Sequence, residues 1–236
     1  MGKKTGDTLI EVMFAVAIFS MVAISAVAVM NSGMSNAQGT LESTMARNEI
    51  DAQAEALRFI QSSYVAERRD GDNDSYFANL WHSIIARANV STDTVTKYAP
   101  DSCGELYERE NASGIYRLKG FAINVRKLGL SDDATESLVT DDTKFFVPGT
   151  YPRIIYDDDA LLDNLHPSEA ERVEGIFVTA VQDPGSTKVD DKGVVKGAVY
   201  YDFYIRSCWY ASGKSVPTTI STVIRLYDPD MVAPEE

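Results

Sequence analysis

Hydrophobic residues dominate the start of the chain. Residues 12–30 form one apolar run broken only by Ser20 and Ser25, and no charged residue occurs between Glu11 and Glu42. As a helix those 19 residues span about 28 Å, close to the hydrocarbon thickness of a bilayer. Beyond residue 41 the pattern turns amphipathic. Ile50, Ala54, Leu57 and Tyr64 follow an i, i+4, i+7, i+14 spacing, with Ile60 beside the same stripe. Glu42, Arg47, Glu49, Asp51, Glu55 and Arg58 are expected to fill the remaining circumference. No proline precedes Pro100, and Gly33 and Gly39 are the only glycines between residues 7 and 70. One helix is therefore expected from residue 7 to near Arg69, about 63 residues or roughly 95 Å, with bending or fraying at the two glycines.

Past the acidic turn at 70–74, residues 77–88 read as a short second helix containing Trp81 and His82. Strand patterns then take over. Residues 116–125, with a bulge or turn at Gly120, read as one or two strands, and 153–156 and 175–181 are shorter candidates. In 198–211, Val199, Tyr201, Phe203, Ile205 and Trp209 alternate with Tyr200, Asp202, Tyr204, Arg206 and Tyr210. In 218–227, Ile220, Thr222, Ile224 and Leu226 alternate in the same way, so the two runs read as an antiparallel hairpin. The fold class is α+β: a long helix laid across an antiparallel sheet.

Charge and chemistry narrow the function. The chain carries 22 basic and 35 acidic side chains, net -13, which argues against a broad nucleic-acid surface. Gly213-Lys214-Ser215 lacks the earlier glycine of a phosphate loop, because Cys208 stands there. Asp70, Asp72 and Asp74 occupy alternate positions like the start of a calcium loop. Ser75 replaces its glycine and Trp81 its final glutamate, so a solvated acidic turn is preferred and the three aspartates are the only metal candidates. The charged run at 157–159 reads as a surface loop. His82 and His166, the only histidines, read as surface or core side chains, and no serine, histidine and acid grouping is visible. No enzyme activity and no cofactor are expected. Cys103 and Cys208 leave two readings open: a single bridge, if the domain lies outside the cytoplasm, or two separate thiols.

Glu11 is the residue a simple anchor does not explain. A carboxylate near a bilayer core costs about 2.5–3.5 kcal/mol on insertion scales. Lys3 and Lys4 orient the N-terminus towards the cytoplasm, and Ala26-Val27-Ala28 offers an ordinary secretory cleavage site. Neither observation uses Gly6 or Glu11.

The run KKTGDTLIEVMFAVAIF resembles the leader and helix start of type IV pilins and pseudopilins. The resemblance implies a leader of residues 1–6, cut by prepilin peptidase between Gly6 and Asp7, and a retained assembly helix. Glu11 then falls at the family's characteristic glutamate, where it pairs with the new α-amino group of a neighbouring subunit and sets the register of a filament. The family usually carries an N-methylated phenylalanine after the cut; here Asp7 stands there. The implied organisation is leader 1–6, transmembrane and assembly helix 7–30, amphipathic continuation 31–69, and an extracytoplasmic α+β domain 70–236. The implied function is a structural subunit of a pilus-like filament, a minor pilin or pseudopilin by length, serving adhesion, twitching motility, DNA uptake or secretion. Its implied partners are other pilin subunits, prepilin peptidase and the membrane. The rival reading is a membrane-anchored extracellular binding domain that never polymerises.

Overall fold

The computed structural model describes residues 7–71, 74–89, 103, 108–111, 114–117, 119–130, 133–140, 153–155, 172–182, 188–189, 195–196, 199–212 and 214–229. The chain divides into two compact units, Met1–Leu41 and Glu42–Glu236. Helix α1 (Asp7–Arg69, 63 residues) is unbroken and ends at the residue expected. Arg68 and Arg69 lie in its last turn, where cations complement the partial negative charge of the helix end. Gly33 and Gly39 are both helical and do not fray. Each costs about 1 kcal/mol relative to alanine, which the cooperative helix around them absorbs.

In the second unit, α2 (Tyr76–Ile85) follows α1. The strands are β1 (Glu108–Asn111), β2 (Gly114–Arg117), β3 (Gly120–Ile123), β4 (Leu138–Val139), β5 (Arg153–Ile155), β6 (Arg172–Glu174), β7 (Ile176–Gln182), β8 (Lys188–Val189), β9 (Val195–Lys196), β10 (Tyr200–Trp209) and β11 (Thr218–Tyr227). Five of them form an antiparallel sheet in the order β11-β10-β7-β3-β4, and β1-β2, β5-β6 and β8-β9 are separate two-stranded ribbons. The run around Gly120 is thus two strands in different sheets, with Gly120 opening β3.

The sequence stripe is the buried side of α1. Ile50, Ala54, Leu57, Ile60 and Tyr64 all join the core, with Phe121, Ile123, Val178, Ala180, Phe203 and Ile205 from the sheet. Trp81 of α2 completes it, its ring edge-on to Tyr201 at 6.4 Å and tilted against Phe203 at 5.9 Å. This packing of helix on sheet is what holds the unit together: truncating one such buried leucine typically costs about 2–5 kcal/mol. Tyr201, Phe203 and Ile205 of β10 face this core, as the alternation predicts, and Trp209 packs in a separate cluster with Ala46 and Ala211. On the other side of β10 Arg206 and Cys208 are buried too, so that face is covered at one end. β7 shows no alternation, because Phe177, Thr179 and Val181 are as buried as Val178 and Ala180; a strand covered on both faces reads as a continuous apolar run.

Helix α2 begins and ends slightly earlier than its apolar pattern suggests. Ser75 is the N-cap, its hydroxyl accepting from the Ala78 amide at 3.3 Å and donating to the Glu67 carboxylate. The chain leaves the helix after Ile85 so that Asn89 can pair with β7. Its amide donates to the Ala180 carbonyl at 2.8 Å, and its carbonyl accepts from the Gln182 amide at 3.1 Å.

Candidate functional site

Residues 9–41 form the most unusual surface of the chain. Apolar side chains project all around α1 here: Leu9, Phe14, Phe19, Ile24 and Met30 are each at least 66% exposed. A helix that is apolar on every side must be covered by lipid or by other protein. Its polar groups are prepared for that. Ser20 Oγ donates to the Val16 carbonyl and Ser25 Oγ to the Met21 carbonyl, each at 2.8 Å, so both hydroxyls are satisfied inside their own helix. Among the described residues one helix is therefore long and apolar enough to cross a membrane, as an N-terminal anchor would.

Glu11 stands exposed at the start of this surface. The next charged residue along the sequence is Glu42, 31 positions further on. No ion pair of Glu11 occurs among the described residues. Its place in the second turn of α1 leaves it little help from the helix dipole, whose effect falls off within the first turn. That help is less than the cost of placing a carboxylate at bilayer depth. Asp7 is the first residue of the helix. Gly6, with Lys3 and Lys4, lies outside the described residues, as do Asp72, the acidic run 157–159 and His166.

The second half of α1 is fixed to the sheet by polar contacts as well as by the apolar stripe. Glu42 overturns its expected place on the solvated circumference: it is 4% exposed and accepts a hydrogen bond from Trp209 Nε1 at 3.3 Å. Only the fold brings these residues, 167 positions apart, together. Gln53, fully buried, has no sequence signal at all. Its Nε2 donates to the Ile123 carbonyl at 2.8 Å and its Oε1 accepts from the Ile123 amide at 2.7 Å. The β3–β7 ladder is registered at Gly120–Thr179 and Phe121–Val178 and goes no further. The Gln53 amide takes the place of the missing strand at Ile123.

The cysteine question is resolved in favour of the bridge. Cys103 and Cys208 are joined, with Cα atoms 5.5 Å apart and a sequence separation of 105. Cys208 projects from β10 on the side away from α1, beside Arg206.

Of the three weak metal candidates, Asp70 and Asp74 lie among the described residues. Asp70 is exposed beyond the end of α1, where its amide bonds back to Ala66 and Glu67. Asp74 accepts from Asn79 Nδ2 at 3.4 Å. Among the described residues no group of three histidine, cysteine or acidic side chains could hold an ion. A groove of about 1020 Å³ beside α2 contains Asp74, Tyr76, Phe77, His82 and Asp133. Its polar atoms serve the fold: Tyr76 Oη bonds Ser137 Oγ at 2.6 Å and accepts from the Gly129 amide at 3.2 Å. The Asp133 carboxylate accepts from the Thr135 hydroxyl and amide, which hold its pKa below the usual carboxylate value. His82 is exposed, with Nε2 3.5 Å from Tyr64 Oη.

No protein-family model matches the chain, and no curated protein or solved structure matches it either.

Proposed function

We propose that this chain is the precursor of a filament subunit of the type IV pilin or pseudopilin kind. In this reading it enters the membrane through residues 7–30, loses residues 1–6 to prepilin peptidase, and polymerises through its N-terminal helix. The observation that carries the reading is Glu11: one carboxylate on an otherwise apolar, exposed stretch of helix, four residues after the new N-terminus, Asp7, that a cut behind the glycine-ended basic leader would create. Cleavage there creates an α-amino group. In a dehydrated bundle of offset helices that cation pairs with Glu11 of a neighbour, and any other register leaves a buried charge alone. Such unpaired burial costs about 3–5 kcal/mol, enough to select one stagger. The Cys103–Cys208 bridge adds support, since disulfides persist in oxidising compartments. The filament would lie outside the cytoplasmic membrane. A helix that only anchors a domain, the rival reading, gives Glu11 no partner.

The test is Glu11→Ala in cells. Membrane insertion and folding should be retained, because removing the carboxylate lowers the insertion cost, while the amount recovered in sheared filaments falls at least tenfold. Normal incorporation of the variant would remove this account of Glu11.

A further inference from the structure

Strand β11 forms one outer edge of the main sheet. Its backbone orientation follows from the ladder. The Asp228 amide donates to the Val199 carbonyl at 2.8 Å, one step beyond the Tyr200–Tyr227 pair. Hydrogen-bonded pairs alternate in an antiparallel ladder, so even-numbered residues of β11 bond to β10. Thr219, Ser221, Val223, Arg225 and Tyr227 therefore direct their N–H and C=O groups outward. The bond from Gln61 Nε2 to the Tyr227 carbonyl at 3.3 Å agrees with this. Among the described residues nothing pairs with the outward groups of Thr219, Ser221 and Val223.

Exposed edges are normally guarded by shortness, a bulge, an inserted proline or projecting charges. β11 lacks each of them. It pairs residue for residue with β10 over ten positions, and Pro217 stops just short of it. It contains no carboxylate, and its one cation, Arg225, is drawn over β10. There it forms a two-pronged pair with Asp202 (2.7 and 2.8 Å) and lies 3.9 Å above the Tyr200 ring. In a chain of net charge -13, this is a long element that a second copy can approach without meeting like charge.

We infer that β11 is a self-association edge that pairs antiparallel with β11 of a second copy. A register centred on Val223 keeps both core faces on the same side of the joined sheet. It sets Val223 against the same residue of the second copy, and Ser221 against Arg225. Val223, 48% exposed in the single chain, becomes covered, and the outward backbone groups of Ser221 and Val223 gain partners. The contact is two-fold and closed, so it makes pairs rather than chains. It links subunits across assemblies and does not extend one filament, and it stands whether or not the filament reading does.

Residues directly opposite in a hydrogen-bonded antiparallel pair lie about 5.5 Å apart at Cα, within disulfide reach. Full-length Val223→Cys protein in detergent, oxidised with copper phenanthroline, should therefore give a covalent dimer at least tenfold faster than Leu130→Cys. Leu130 is 83% exposed on a loop and reports random collision, including collision driven by the apolar helix. Adding Ser221→Lys to the Val223→Cys chain should suppress the dimer at least tenfold while tryptophan fluorescence stays native. Equal cross-linking at both cysteines, no cross-link at Val223→Cys, or indifference to Ser221→Lys would each overturn the pairing.

Discussion

Replacing Gln53 with methionine keeps the length and most of the volume of the side chain and removes both of its hydrogen bonds. Two backbone groups of Ile123 then lose their partner in a fully buried site. Leaving a buried donor or acceptor unsatisfied costs about 1–3 kcal/mol each, so the pair sums to about 2–6 kcal/mol. The methionine returns part of this through apolar contact, and a net loss of about 2–4 kcal/mol is expected. Gln61→Met is the control. It removes one longer bond, to Tyr227, at the sheet margin, and should cost less than about 1 kcal/mol. Urea unfolding of the full chain in detergent reads both variants through Trp81 and Trp209, which are buried in different clusters. If Gln53→Met unfolds within 0.5 kcal/mol of the parent, by this scale of about 1–3 kcal/mol per group, the Gln53 amide is not standing in for a strand.

Two further perturbations test the same unit. Burial raises the Glu49 carboxyl above its usual pKa, with Arg126 opposing the shift. The folded state therefore binds its proton more tightly than the unfolded state, so this group's contribution to stability weakens as pH rises through the raised value. Glu49→Gln should stabilise the protein at neutral pH and flatten that part of the pH profile; a neutral-pH loss on urea titration would contradict the sign. Reducing the Cys103–Cys208 bridge frees a loop of 105 residues and should lower stability by about 4–5 kcal/mol through the unfolded state. Non-reducing peptide mapping should first recover the linked Cys103 and Cys208 peptides, and two alkylatable thiols in the native protein would count against the bridge.

The elements with strong periodicity were legible before the fold was known. α1 stops at Arg69, and the alternations bring Val199, Tyr201, Phe203 and Ile205 together with Ile224 and Leu226 in one core, while Trp209 packs in a second cluster with Ala46 and Ala211. β4 was missed because two residues carry no period. Gln53 and Glu42 were missed for a deeper reason: on a helical wheel each is simply polar. What makes them structural is the arrival of Ile123 and Trp209, from 70 and 167 residues away. Glu11 differs again. Sequence flagged it because a charge beside an apolar run is costly wherever the chain folds, and within a single chain its environment adds an exposed position and no partner among the described residues.

That partner is settled most directly at the mature N-terminus. Intact-mass analysis and N-terminal sequencing of protein recovered from its native envelope should show residues 1–6 gone and Asp7 first. Loss of Lys3 and Lys4 would take the net charge from -13 to -15. A mature chain beginning at Val29, after ordinary secretory cleavage, or one that keeps Met1, would contradict the filament account.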